Sequence, residues 1–214
     1  MILDDAYMKL PGSLVLVGVT VGFHDEGKRL AHSLRARFLA RLLTRLSEGG
    51  EPTDATLRDD AAELLLAEER AGDIFLTACI LTQRPEGVRA LAAGNYDVWQ
   101  VRASGISHVL AGSSVWNAAA AAGATADGLH KNICVSALSS DRSKSVVYTV
   151  DLAVEPADVI VVTRGDIDPE LFVRYGRKGG RGEVVVAFDD GQELDVGGFG
   201  RYPRADAPRA FAQR

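Results

Sequence analysis

The chain is short of several things, and each shortage narrows what it can be. Its 214 residues include two cysteines, Cys79 and Cys134. Both stand in apolar surroundings, LTACIL and NICVSA. The expectation is two buried free thiols in a reducing compartment, not a disulfide or a metal site. No apolar run approaches the roughly 20 residues that a membrane span needs. Asp4 and Asp5 come before any apolar run, which is not the pattern of a secretory leader. These features place the chain in the cytoplasm and off the membrane. Positive charge is scarce too: 24 Lys and Arg face 29 Asp and Glu, a net charge of −5. That balance argues against a general nucleic-acid binder. No internal repeat is present.

What remains is ordinary for a globular domain, with 47% hydrophobic and 25% charged residues. The length fits one domain over residues 1–196. From Gly197 onward glycine, proline and arginine follow no period, so 197–214 is expected to be a mobile tail.

Residues 2–10 can form a first strand, and Leu14 to Thr20 (LVLVGVT) a second, apolar enough to be buried on both faces. A loop from Val21 to Gly27 leads into a helix that runs to about Ser47. Its residues Leu30, Leu34, Phe38, Leu42 and Leu46 recur every four positions, which is one buried helical face. Lys28, Arg29, Arg35, Arg37, Arg41 and Arg45 lie mostly off that stripe and read as a solvated face. Thr53 or Asp54 can cap a second helix to about Arg70.

Four strands follow: Ile74–Thr82, Val88–Ala93, Tyr96–Arg102 and Ile106–Leu110. Gly94-Asn95 and Ala103-Ser104-Gly105 join them, and this spacing predicts an antiparallel meander. Ser113 to Ala122 is Ala-rich and helical in pattern, with Gly123 as its stop. Asp127 to Lys144 is irregular. Val146–Val154 and Val159–Thr163 read as an antiparallel pair. Pro169 to Tyr175 is a short helix, Arg177 to Gly182 a basic Gly-rich loop, and 183–188 with 192–196 a hairpin. The fold class is therefore α+β, a two-layer antiparallel β-sandwich flanked by helices.

The stretch from Asp158 to Asp168, DVIVVTRGDID, is the candidate site. A buried strand does not usually end by presenting Arg164, Asp166 and Asp168 together. At five places the chain resembles the metal-dependent protein phosphatases of type 2C, the PPM family, in its short bacterial form. Leu3-Asp4-Asp5-Ala6 resembles the opening Asn-x-Asp-Ala. Val17 to Gly22, followed by a helix, resembles the strand that ends in the metal-binding Asp-Gly. Leu91 to Arg102 resembles the Gly-Asp between two central strands. Val154 to Asp158, running into Thr163-Arg164-Gly165, resembles "Pro-Gly-Asp, apolar strand, Ser-Asp-Gly". Gly180 to Val186 resembles the final acidic pair and its Val-rich strand.

The resemblance implies a site where aspartates hold two divalent cations whose water attacks a phosphoserine or phosphothreonine. Mg²⁺ or Mn²⁺ needs hard carboxylate oxygens there. This chain departs from that need. Asp5 matches an acidic position, and Asp168 lies where another falls just past the glycine Gly165. Gly22 matches the glycine of Asp-Gly, but Val21 stands for its aspartate. Asn95 stands for the Gly-Asp aspartate, Arg164 for that of Ser-Asp-Gly, and Gly180 and Arg181 for the last pair. An Arg places a fixed positive charge where a cation would bind.

Three readings follow. The first is a pseudophosphatase with no metal or other cofactor, acting as a regulator or as the partner of a protein; in its sharper version Arg164 and Arg181 hold a phosphate, the simpler account being a salt bridge from Arg164 to Asp166, Asp168 or Asp5 with Arg181 solvated. The second is an active phosphatase with a rearranged Mn²⁺ or Mg²⁺ site drawn from His24, Asp25, Glu26, Asp5, Asp166 and Asp168. For His24, Asp25 and Glu26 the simpler account is a polar start to the long helix. The third is a structural interaction domain, with Trp99 and Trp116 as anchors or, more simply, core aromatics. The Ser136, Ser139, Ser140 and Ser143 cluster near His130 and Asp141 reads as loop chemistry.

Overall fold

The computed structural model describes residues 2–10, 12–22, 27–85, 87–102, 104–124, 134–155, 158–164, 183–188 and 193–195. In chain order these form β1 (Ile2–Leu10), β2 (Ser13–Val21), α1 (Gly27–Ser47), α2 (Asp54–Leu66), β3 (Ile74–Arg84), β4 (Gly87–Ala93) and β5 (Tyr96–Arg102). They continue with β6 (Gly105–Leu110), α3 (Val115–Ala121), β7 (Tyr148–Ala153), β8 (Val159–Arg164), β9 (Glu183–Phe188) and β10 (Glu193–Asp195). Two five-stranded sheets result, in the orders β1-β2-β3-β4-β7 and β10-β9-β8-β5-β6. The predicted helix Pro169–Tyr175, the loop Arg177–Gly182 and the tail 197–214 lie outside the described residues.

β2 shows why the first sheet sits in the middle. Its residues alternate across the pleat, and both sets are buried. Val15, Val17, Val19 and Val21 pack with Ala31, Leu34, Phe38 and Leu42 of α1 and with Leu57, Ala61, Leu64 and Leu65 of α2. Leu14 and Leu16 face the other way and meet Tyr96, Val98, Ile160 and Val162 of the second sheet. One strand thus serves both the helix-to-sheet core and the sheet-to-sheet core.

The helices carry the expected stripes. α2 is capped by Thr53, whose hydroxyl accepts from Thr56 N, while the Thr56 hydroxyl accepts from Thr53 N at 2.7 Å. It ends at Leu66, short of Arg70. Three basic residues of α1 pair with acids of α2 and of the turn after it. Arg37 pairs with Glu68 at 2.9 Å, Arg41 with Glu63 at 3.1 Å and Arg45 with Asp60 at 3.0 Å.

Three pairings differ from the sequence expectation. The four-strand meander is not one sheet. β3 pairs with β4, and β5 with β6, but Gly94-Asn95 carries the chain from the first sheet to the second. β7 does not pair with β8. It edges the first sheet beside β4, while β8 sits between β5 and β9. Burial explains this: alternate residues of β7 are exposed, as suits an edge, whereas Ile160, Val161 and Val162 are all buried. Finally, β8 and β9 run parallel, the exception among the described pairings. Residues 165–182 intervene, enough chain for the crossover that parallel strands require.

Candidate functional site

Register gathers part of the predicted site at one end of the sandwich. On the first sheet Asp5 lies opposite Gly18, and Gly18 opposite Thr77. Gly94 is next along that line: it has φ +95°, and a Cβ there would fall 2.4 Å from Thr77 Cγ2. Asn95 follows, buried, where the chain crosses between sheets. On the second sheet Arg164 pairs with Tyr96, the next residue, and with Phe188. Asn95 and Arg164 are therefore neighbours through Tyr96, whereas Asp5 lies on the same cross-strand line but three strands away, about 14 Å by strand spacing.

Val21 and Gly22 do not share that line. Val21 lies opposite Ile2 and Ile74, three residues beyond Gly18, about 10 Å along the strand. Its side chain is fully buried in the core under α1 and α2. Gly22 is exposed, and its N–H donates to Asp73 O at 2.9 Å. His24, Asp25, Glu26, Gly165, Asp166, Asp168, Gly180 and Arg181 lie outside the described residues. Among the described residues, no three His, Cys, Asp or Glu side chains could together hold a metal ion.

A polar network beside this end went unnoticed in the sequence. Asp97 Oδ1 accepts from Gly112 N at 2.8 Å, from Asn117 Nδ2 at 2.9 Å and from His108 Nε2 at 2.9 Å. The His108 ring stacks on Trp99 at 3.8 Å between centroids. Trp99 Nε1 donates to Thr163 Oγ1 at 3.0 Å, one residue before Arg164. Trp99 is thus neither a free anchor nor wholly core. Asp97, Trp99 and Val101 share a strand face by alternation, and an acid set among such residues was the available signal.

The segment after β6 presses on the crossing. Ser113 N donates to Gly94 O at 2.7 Å. A Cβ on Gly112 would lie 2.6 Å from Tyr96 O and 2.8 Å from Asn95 C. Only a glycine allows two backbones to approach this closely.

Asp158, from the Pro-Gly-Asp likeness, does structural work. Its Oδ2 accepts from Gln100 Nε2 at 2.8 Å, Arg102 Nε at 3.1 Å and Glu155 N at 3.0 Å. Of the cysteines, Cys79 is buried and Cys134 half-buried, and neither forms a disulfide. Burial pushes the Cys79 thiol up to about 12, so it carries no thiolate at neutral pH. Ser136 bonds across to Ser113 in the segment after β6, and Ser139 donates to Asp141 O within its own loop. No helix of the described residues is long and apolar enough to cross a membrane.

Solved structures share this architecture. The PPM Ser-Thr phosphatase MsPP from Mycobacterium smegmatis, solved with cacodylate, superposes at TM-score 0.54 and 14% identity, over 72% of this chain and 68% of that one. The serine/threonine phosphatase PstP from Mycobacterium tuberculosis gives 0.55 and 13%, over 72% and 68%. A stage II sporulation E family protein from Thermanaerovibrio acidaminovorans gives 0.56 and 15%, over 74% and 79%. No family model and no curated protein matches the chain. At these identities the likeness is one of fold: a PPM-type, α+β sandwich.

Proposed function

We propose, from the premise of a PPM-type phosphatase fold, that this chain is a degenerate relative that does not run two-metal hydrolysis and acts by binding a phosphorylated protein. The observation that carries the reading is the pairing at the crossing. Buried Asn95 and, one residue along the register, Arg164 stand where the resemblance assigns carboxylates. An amide and a guanidinium do not supply the anionic oxygens that Mg²⁺ or Mn²⁺ takes. Val21 supplies no donor atom at all. The donor set therefore does not fit a two-cation cluster.

A guanidinium at a strand end suits a different task. It offers forked N–H donors to phosphate oxygens and stays charged at any physiological pH. Arg164 would contact the phosphate of a phosphoserine or phosphothreonine, and Arg181 would assist. The cytoplasm suits this reading, because Cys79 and Cys134 stay reduced there.

The test joins metal titration calorimetry of the chelator-stripped protein with a phosphopeptide assay. The expected outcome is no heat with Mn²⁺ or Mg²⁺, no turnover, and phosphopeptide binding that Arg164→Ala weakens by about tenfold or more. Metal-dependent turnover would overturn the proposal. The ligands would then be sought among Asp5, His24, Asp25, Glu26, Asp166 and Asp168. Phosphopeptide binding unaffected by Arg164→Ala would remove Arg164 from the site.

A further inference from the structure

α3 is held differently from the other helices. α1 and α2 each bury a stripe of apolar residues, whereas none of the seven residues of α3 is buried. A helix this short is unstable on its own, even when Ala-rich, and in proteins depends on packing. Val115, Trp116, Asn117 and Ala119 are only half-buried, so polar contacts carry a larger share of the hold on α3 than on α1 or α2.

Those contacts fall at its start. Ser114 caps the helix, accepting from Asn117 N at 3.1 Å. The residues just before are firmly seated. Ser113 N bonds Gly94 O at 2.7 Å, Val135 N bonds Ser113 O at 2.8 Å, and Gly112 is wedged against Asn95 and Tyr96. Within the helix, Asn117 Nδ2 reaches back to Asp97 Oδ1 at 2.9 Å and to Gly112 O at 2.8 Å. Beyond Asn117 the helix is Ala118 to Ala121, whose side chains can make no hydrogen bond.

We infer that α3 is a hinged arm that pivots at Ser114 and is latched by Asn117 on Asp97. The carboxylate is built for release. When Asn117 leaves, Asp97 Oδ1 keeps Gly112 N and His108 Nε2. Opening therefore strands no buried charge, which is the usual large cost of breaking such a contact. Asp97 lies two residues along the chain from Asn95. A partner reaching that end of the sandwich meets one surface with the arm latched and another with it open. The inference stands on this geometry and does not depend on phosphoprotein binding.

Amide hydrogen exchange on the full chain tests it, comparing the parent with Asn117→Ala and Asn117→Asp. Both variants should speed exchange at Ala118–Ala122 by about tenfold or more while leaving β5 amides within about twofold. Asn117→Asp should do so more strongly, because it sets a second carboxylate against Asp97. Unchanged exchange at Ala118–Ala122 in both variants would overturn the inference. So would equal acceleration across β5 and β6, which would make Asn117 a support of the sheet and not a latch. Protected β5 amides report at once that each variant is folded.

Discussion

Thr77 sits beneath the Gly94 crossing with its side chain almost fully buried. Its hydroxyl finds no hydrogen-bond partner among the described residues, while its methyl carbon Cγ2 fills the space beside Gly94. The two branches thus have opposite value: the methyl packs, and the hydroxyl is buried with no partner among the described residues. An unsatisfied buried group of this kind costs about 1–3 kcal/mol. Thr77→Val keeps the methyl and exchanges the hydroxyl for another. The expected outcome is a melting temperature raised by about 2–4 °C, since about 1 kcal/mol moves a domain of this size by that much. A lower melting temperature would mean that the hydroxyl is satisfied in solution. Not every polar contact carries such weight. Arg89 holds the Asp151 carboxyl below its usual range through a 2.7 Å hydrogen bond, yet both lie on the surface, where such pairs contribute little.

At the scale of elements, β4 and β7 approach so closely that a side chain is excluded. A Cβ on Gly87 would fall 1.8 Å from Leu152 O and 2.9 Å from Leu152 C. Both are backbone atoms and cannot step aside alone. Gly87→Ala must push β7 off the edge of its sheet, and we expect it to cost about 1–3 kcal/mol in chemical denaturation. Gly72→Ala, with nothing within 4 Å of its added carbon, should stay within about 0.5 kcal/mol and serves as the control. Equal effects at the two positions would show that β7 gives way freely. The same pair of strands marks where sequence reasoning stopped. The helix stripes, the Thr53 cap and most strand positions were legible, because periods of about 3.6 and 2 are written along the chain itself. The pairing was not. Gly94-Asn95 has the composition of a hairpin turn but crosses between sheets, and β7 and β8, expected to pair, fall in different sheets. A turn residue records that the chain bends, not which strand it meets afterwards. The site was legible in the same uneven way. Single positions such as Asn95 and Arg164 stood out by likeness. The Asp97 network did not, because its donors come from β6, the following segment and α3, apart in sequence and joined only by folding.

For the molecule as a whole, what matters is how the two sheets are tied together. Between β7 of the first and β8 of the second, the tie is Asp158. It is buried, and its Oδ2 gathers Gln100, Arg102 and the Glu155 amide. Gln100 Nε2 and Arg102 Nη2 also donate to Ala153 O, at 2.7 and 2.9 Å, so side chains of the second sheet grip the last residue of β7 in the first. Asp158→Ala removes the shared acceptor. It leaves Gln100 half-satisfied in a buried setting and takes the acceptor from the amide of the exposed Glu155. Arg102 is 40% exposed and can turn to water, which limits the loss. Breaking a fully buried ion pair costs about 3–5 kcal/mol, so this partly wetted one should cost about 2–3 kcal/mol. If the tie joins the sheets into one cooperative unit, the urea midpoint falls while unfolding remains a single transition of unchanged slope. A biphasic curve in the variant would instead mean that Asp158 was the main coupling and that each sheet can melt by itself. Asp158→Asn separates charge from hydrogen bonding. It keeps an acceptor for Gln100 and the Glu155 amide but removes the charge facing Arg102, so it should recover about half the loss. Full recovery would reduce the ion pair to ornament, and none would make it the whole of the tie.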